Sequence, residues 1–373
     1  MPGSPRAGTL ALGLAAGCAL DALLGDPARF HPVAGFGRTA GAVERRLYVD
    51  HRLAGVAYTA VCVGVPVAVA QLVAGPGLTG SALAGSAPIA SSRRPGLAVA
   101  AVAGASWAVL GGASLRRHGR RLGRELGRGD LEAARCRLPA LCGRDPAALD
   151  TPDLARAGVE SLAENTSDAV VGPLVWGAVA GLPGLLGYRA VNTLDAMVGH
   201  RGERYGRFGW ASARLDDGAN LLPARLAGAL TCACAPLVGG SPRAAWRMMR
   251  RDGRHHPSPN AGHVEAAFAG ALGLRLGGPA RYPHGVEHRP TLGSGRPARA
   301  ADLDRAATLS GAVSVGALVV AAGGRLLAGW ITTEVAGWTA NRTGAPSWAR
   351  LRARKASRAR PRAGRRAAHK DGL

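Results

Sequence analysis

The sequence predicts an all-α, polytopic integral membrane helical bundle with broken or re-entrant helices and cytoplasmic polar loops, on three observations. Uncharged apolar runs recur along the chain at lengths that suit bilayer crossing, which takes roughly 20 residues to cover about 30 Å of hydrocarbon at about 1.5 Å each. Of the 373 residues, 47% are hydrophobic but only 4% aromatic, and 55 are glycine. Small residues let helices approach closely in lipid, where association depends on backbone proximity rather than on expelling water. The formal charge of +23 is concentrated between the apolar runs and over residues 342–370, as expected of cytoplasmic flanks. Such an excess also suits phosphate neutralisation on a nucleic acid, but its placement makes the lipid bilayer the expected partner, with no nucleic acid.

Residues 7–24 form a first span despite Asp21. Arg6 and the apolar run after it superficially resemble a signal peptide, yet the run leads straight into a polar motif at 21–32 and reads as a retained helix. Residues 53–74 form a strong span, and 76–94 read as a Gly/Ser/Pro-rich external linker loop. Another strong span covers 95–115, between Arg94 and Arg116, followed by a cytoplasmic helical loop over 116–168 with ten arginines between 116 and 156. Residues 169–188 are uncharged but carry Pro173, Pro183 and five glycines. A broken helix of that kind is tolerated at membrane depth only where its freed backbone groups face protein or a wet cavity. A full crossing there would carry the next polar block outside, so a dip is expected. The stretch 226–242 is short and contains Pro236; 306–324 is the last strong span. The expected organisation is one membrane-embedded domain over 1–335 and a basic, disordered tail over 336–373. The six cysteines include no C-x-x-C pair and read as small packing residues.

Five polar blocks interrupt this background. The first, Gly25-Asp26-Pro27 with His31-Pro32, stops a helix and turns the chain, and it puts acids and a histidine at the end of an apolar run, where charge is costly. The second holds Glu160, Glu164, Asn165 and Asp168. The three acids, four apart, project from one helix face with no intervening base, at a repulsive cost of roughly 0.2–0.5 kcal/mol per pair. A Mg²⁺ held partly by carboxylates and partly by substrate phosphate offsets this; a solvated acidic face beside Arg156 is the alternative, and these residues alone leave both open. The third block runs from Arg189 through Asn192 and Thr193 to Asp195. In the fourth, Asp216, Asp217 and Asn220 share a helical surface bracketed by Arg214 and Arg225, whose guanidinium forks suit phosphate or carboxylate. The fifth is His256-Pro257-Ser258-Pro259-Asn260, with Glu265 on the following helix, where Asn260 is positioned to cap and the helix start attracts anions.

In this order the blocks resemble the signature of the CobD/CbiB family, over about residues 10–330 without the 76–94 segment and the tail. His263-Val264 departs from the aromatic-proline pair usual in the family, and Tyr282-Pro283-His284-Gly285 varies a glycine-rich turn. The resemblance implies a cobinamide-phosphate synthase in the cell (inner or plasma) membrane, with its active site facing the cytoplasm. Such an enzyme joins aminopropanol, or aminopropanol phosphate, to a propionate carboxyl of the corrinoid substrate cobyric acid. It consumes ATP as a substrate and uses Mg²⁺; other late cobalamin-pathway membrane enzymes are further candidate partners. On that reading Asp168, Asp216 and Asp217 hold Mg²⁺. Glu164, Asp195, Asp217 and Arg214 act in catalysis, while Asp26, His31, Asn165, Arg189, Asn192, Asn220, Arg225, Ser258 and Asn260 bind substrate. No P-loop is present, so nucleotide binding would be non-standard. The rival readings are a membrane transporter, in which intramembrane carboxylates coordinate ions, and a membrane signalling protein of the AmpE type. Acidic residues clustered at span ends rather than midpoints favour surface chemistry.

Overall fold

The computed structural model describes residues 5–26, 31–78, 95–147, 149–200, 202–282 and 285–342. In chain order its helices are α1 (Pro5–Leu24), α2 (Pro32–Leu47), α3 (Arg52–Leu78), α4 (Pro95–Val109), α5 (Gly112–Gly127), α6 (Leu131–Arg137), α7 (Thr151–Thr166), α8 (Gly172–Val198), α9 (Trp210–Ala219), α10 (Leu221–Cys234), α11 (Pro242–Asp252), α12 (Ala261–Leu272) and α13 (Ala300–Arg342). Six segments, Ala7–Leu24, Arg52–Val73, Pro95–Gly127, Thr151–Val198, Leu221–Val238 and Ala300–Val335, are long and apolar enough to cross a membrane. The chain is thus a multi-pass, all-α membrane protein. Its outer surface agrees: Val61, Val65, Val69 and Leu72 on α3 and Val315, Val319, Leu327 and Ile331 on α13 are exposed, in a pattern that lipid rather than water accommodates.

Small residues bring the helices together. Gly13 and Gly17 of α1 leave no room for a side chain against Val102 and Ser106 of α4, and Gly119 and Gly123 seat α5 on Leu162 of α7 and Leu303 of α13. The span expected over 95–115 breaks after Val109. Gly111 donates to the Ala169 carbonyl at 3.3 Å, and α5 starts anew at Gly112, its Ala113 N–H donating to Asp21 Oδ2 at 3.0 Å. Asp21 thus answers the free N–H groups of a helix start, which accounts for an acid inside an otherwise apolar span. A second, smaller core gathers Ala40, Tyr58, Cys62, Leu194, Val198 and Phe208 around the end of α8.

The segment expected to dip does so by folding back on itself. After a π-helical turn at Ser167–Val171, α8 runs nine residues inward, reverses at Gly181 (φ 65°, ψ −142°) and returns. The arms lie antiparallel: Gly184 touches the Trp176 carbonyl and the Tyr188 ring covers Gly172. The inbound arm covers about 13 Å at about 1.5 Å per residue, less than half the hydrocarbon thickness. Only glycine adopts this backbone conformation readily, and Pro183 follows where the returning arm has no preceding turn to donate to.

One small sheet accompanies the helices: β1 (Leu274–Tyr282) pairs antiparallel with β2 (Gly285–Leu292) and parallel with β3 (Arg296–Pro297). Alternation of apolar and polar residues is too irregular there to announce strands. A bulge between Leu276 and Gly278 turns the Gly277 N–H to Glu160 Oε1 at 2.7 Å, while Arg156 donates to the Gly277 and Pro279 carbonyls, so the hairpin is clamped to α7. Two boundaries differ from expectation. Helix α3 continues to Leu78, so 76–78 are not loop, and α13 continues to Arg342, past the boundary at 335. Residues 79–94 and 343–373, like Pro27, Pro283 and His284, lie outside the described residues.

Candidate active site

The reversal at Gly181 decides which polar residues meet. Carrying its antiparallel register outward past Gly172 and Tyr188 sets Asp168 beside Asn192, whose Nδ2 donates to Asp168 Oδ2 at 3.2 Å and to Asp216 Oδ1 at 3.4 Å. The hairpin also anchors the junction of α9 and α10. Trp176 Nε1 donates to the Ala219 carbonyl (2.9 Å) and Tyr188 OH to Asn220 Oδ1 (2.7 Å). Asn220 in turn donates to Asp216 Oδ2 at 2.9 Å. Asp216 is therefore held by two amides, each satisfying an oxygen that would otherwise carry unpaired charge in a half-buried place.

Asp168, Asp216 and Asn220 line a cavity of about 550 Å³ together with Glu164, Asp195, Asp217, Ser258 and Asn260, while Asn192, expected to bind substrate, stands behind the lining and holds two of its acids. Burial pushes the Asp216 carboxyl up to about 7, and the neighbouring Asp195 carboxylate adds to the effect. Asn260 bridges: its Nδ2 donates to the Asp217 carbonyl (2.8 Å) and its Oδ1 accepts from Arg225 (2.6 Å). It does not cap α12 as expected; Ser258 Oγ takes the Ala261 N–H instead, at 3.2 Å. The cavity thus offers carboxylates together with amide and hydroxyl groups.

Several expected site residues stand outside the lining. Asn165 turns back on its own helix, donating to the Ser161 carbonyl at 3.0 Å and hydroxyl at 3.1 Å. Asp26 and His31 sit beside the start of α5: Asp26 N–H donates to Ser114 Oγ at 3.1 Å, and His31 Nδ1 accepts from Val33 N to start α2. Arg189 lies behind Asn192, its Nη1 3.5 Å from the amide oxygen. Arg225 reaches the cavity only through Asn260. Arg214 is largely exposed at the rim, 3.4 Å from Asp217 Oδ2. The acidic face without a base also needs correction: Glu160 is buried in an ion pair with Arg144, so of the three acids only Glu164 and Asp168 face the cavity.

The expected site residues leave out four lining side chains, His256, named only as part of the fifth block, and the β2 run Glu287-His288-Arg289. His256 Nδ1 accepts from Ser258 N–H at 3.1 Å, fixing the loop that carries Ser258 and Asn260, and its Nε2 lies 3.9 Å from Glu265 Oε1. Burial, with Arg289 nearby, pushes this imidazole down to about 4, while burial beside Glu160 and Glu164 raises the Glu265 carboxyl. Three consecutive charged or polar residues inside a glycine- and proline-rich stretch were the available signal for β2.

The arrangement defines a class: a multi-pass membrane protein with an acidic, amide-lined cavity built at the mouth of a re-entrant helical hairpin. The family described as CobD/Cbib protein matches residues 14–310, and the chain belongs to that family. It is 56% identical over 315 residues to the cobalamin biosynthesis protein CobD of Mycobacterium tuberculosis strain H37Rv, covering 84% of this chain and 95% of that one. It is 46% identical over 280 residues to the protein of the same name from Geobacter metallireducens, covering 74% and 83%. The likeness to that of Chromobacterium violaceum is 43% over 290 residues, covering 78% and 88%. No solved structure matches.

Proposed function

We propose that this chain is an enzyme of cobalamin biosynthesis that forms an amide between a propionate carboxyl of cobyric acid and the amine of aminopropanol or its phosphate, at the expense of ATP. The observation that carries the reading is the meeting of acids, amides and Ser258 from four of the five signature blocks in one cavity, with Arg189 and Arg225 directly behind it. An amide does not form from a carboxylate and an amine at neutral pH without activation, because the carboxylate oxygen is a poor leaving group. Transfer of the ATP γ-phosphoryl to that oxygen gives an acyl phosphate and ADP; attack by the free amine then forms the C–N bond and expels phosphate, with one proton released.

The donor set suits Mg²⁺. Asp168 and Asp216 share one amide donor and so lie close together, with Asp217 on the same cavity wall. Among the described residues no group of three His, Cys, Asp or Glu side chains is placed to hold a metal ion, so Mg²⁺ here would take one or two of these carboxylates and complete its shell with water and phosphate. Bound there, Mg²⁺ would neutralise nucleotide phosphate charge. Arg214 and Arg289 reach the rim and wall to hold phosphate, and Glu164 or Asp195 takes a proton from the substrate ammonium to free the amine that attacks. The cytoplasmic side is the side on which ATP is found, and the arginine-rich 116–156 region favours it for this end of the bundle.

The test is direct. Purified full-length protein in nanodiscs is given cobyric acid, ATP, Mg²⁺ and either amine, and the corrinoid product is weighed by mass spectrometry. The expected result is the mass of the amide together with ADP; an unchanged corrinoid with both amines, from folded protein, rejects the reading.

A further inference from the structure

Helix α11 turns an almost purely cationic face outward. Ala245, Met248 and Met249 are buried, with Ala245 against Gly270 of α12 and Met249 against Gly228 of α10. The other side presents Arg243, Trp246, Arg247, Arg250 and Arg251, with Arg254 just beyond, over a shallow depression that these six residues line. Their three- and four-residue spacing makes one continuous stripe on a helix. Among the described residues only Arg251 of the five arginines has a carboxylate partner, Asp252 at 2.5 Å. Asp252 is itself buried and committed to the Gly293 N–H at 2.7 Å. The Arg250 guanidinium sits 5.8 Å from the centre of the Trp246 ring, and that ring is 48% exposed.

The position of the stripe narrows what can cover it. Helix α11 begins four residues after the apolar segment Leu221–Val238, on which Leu221, Leu222 and Leu237 are 49%, 61% and 67% exposed. Helix α11 packs on the middle of that segment, with Met249 against Gly228, so the bare leucines at the two ends of the segment and the bare arginines of α11 belong to neighbouring helices. Acyl chains satisfy the first and anionic headgroups the second, with an indole at the junction as membrane interfaces favour. A soluble acidic protein would pair the arginines and leave the leucines in water. A free phosphate would engage one or two guanidiniums and leave the rest.

We propose that the outer face of α11 is a binding surface for anionic phospholipid headgroups, seated beside the apolar segment Leu221–Val238. It continues directly into the loop holding His256, Ser258 and Asn260, so bound lipid abuts the mouth of the cavity. The surface is independent of the reaction assigned to that cavity.

Full-length protein in detergent is titrated with phosphatidylglycerol and, separately, with phosphatidylcholine, and bound lipid is counted by native mass spectrometry. The wild type should prefer phosphatidylglycerol, and the variant R243Q/R247Q/R250Q/R254Q should lose that preference, its affinity falling on the order of a hundredfold. In 0.5 M salt, a concentration chosen to shorten the screening length to about 4 Å, the wild-type preference should shrink as well, a readout that needs no variant. Equal retention of both lipids by the wild type, a preference untouched by salt or by the four substitutions, or full displacement of phosphatidylglycerol by millimolar inorganic phosphate would each overturn the proposal. The last of these would mark a small-anion subsite, and capture of an acidic protein without lipid preference would mark a protein interface.

Discussion

Asn192 donates through a single amide nitrogen to Asp168 at 3.2 Å and to Asp216 at 3.4 Å. Two carboxylates from α9 and from the π-helical turn before α8 are thereby held at one point by a residue of the returning hairpin arm. Without that amide they repel each other across a poorly solvated gap. Asn192→Leu, close in size but without a donor, is expected to lower amide-forming turnover at least about tenfold and to raise the Mg²⁺ concentration needed for half-maximal rate. Turnover measured across a Mg²⁺ series checks both; an unchanged series would remove Asn192 from the site.

Asp217 stands between the cavity and the rim, its side chain 3.4 Å from Arg214 and its carbonyl bound to Asn260. Asp217→Asn keeps the shape and removes the charge. If that charge positions the metal–nucleotide complex, turnover falls by about a hundredfold or more in protein that still melts normally. Near-normal turnover would leave Asp217 a structural residue.

Gly181 carries the backbone of the reversal at φ 65° and ψ −142°. Any side chain there meets strain of about 1–3 kcal/mol. Gly181→Val should lower the melting temperature in detergent and separate the two arms, so that a disulfide engineered across Gly172 and Tyr188 no longer forms. Failure of that disulfide to form with Gly181 intact would contradict the hairpin, and efficient cross-linking in the valine variant would show that the reversal accepts a side chain.

His256 is held neutral, its folded value near 4 against 6.5 for the free side chain. Between these values the unfolded chain binds the extra proton, so the contribution of His256 to stability is full above about pH 6.5 and is lost as pH falls towards 4. The raised Glu265 carboxyl acts in the opposite sense over part of that window, which makes wild type alone a poor readout. The comparison that isolates His256 is with His256→Gln: wild type should lose about 1–3 kcal/mol relative to the variant between pH 7 and pH 4.5. Parallel melting curves across that range would place the imidazole in water.

The membrane spans and the acidic blocks were legible because each depends on local composition: an uncharged run of twenty residues, or carboxylates at its end. The dip at 169–188 was legible too, since Pro183 and a cluster of glycines cannot make a plain crossing helix. Pairing was not. Glu160 looks equivalent to Glu164 along the chain, yet Arg144 and the bulge at Gly277, from 16 residues before and 117 after, claim it for the fold. Asn165 carries the same ambiguity, settled by the Ser161 hydroxyl one turn earlier. The β2 contribution to the cavity was hidden because strand pairing there rests on a bulge and on clamping by Arg156 rather than on an alternating pattern.

The fold-back of α8 makes the stretch of chain between Asp168 and Asn192 behave as a ruler folded at its midpoint. Lengthening one arm by a single residue would slide the returning helix about 1.5 Å and swing it by about 100°, aiming Asn192 away from both acids and detaching Tyr188 from Asn220. Matched insertions on either side of Gly181 would deepen the tip and spare the mouth. Within such a scaffold, length variation is tolerable only in symmetric pairs, however conservative the residues added.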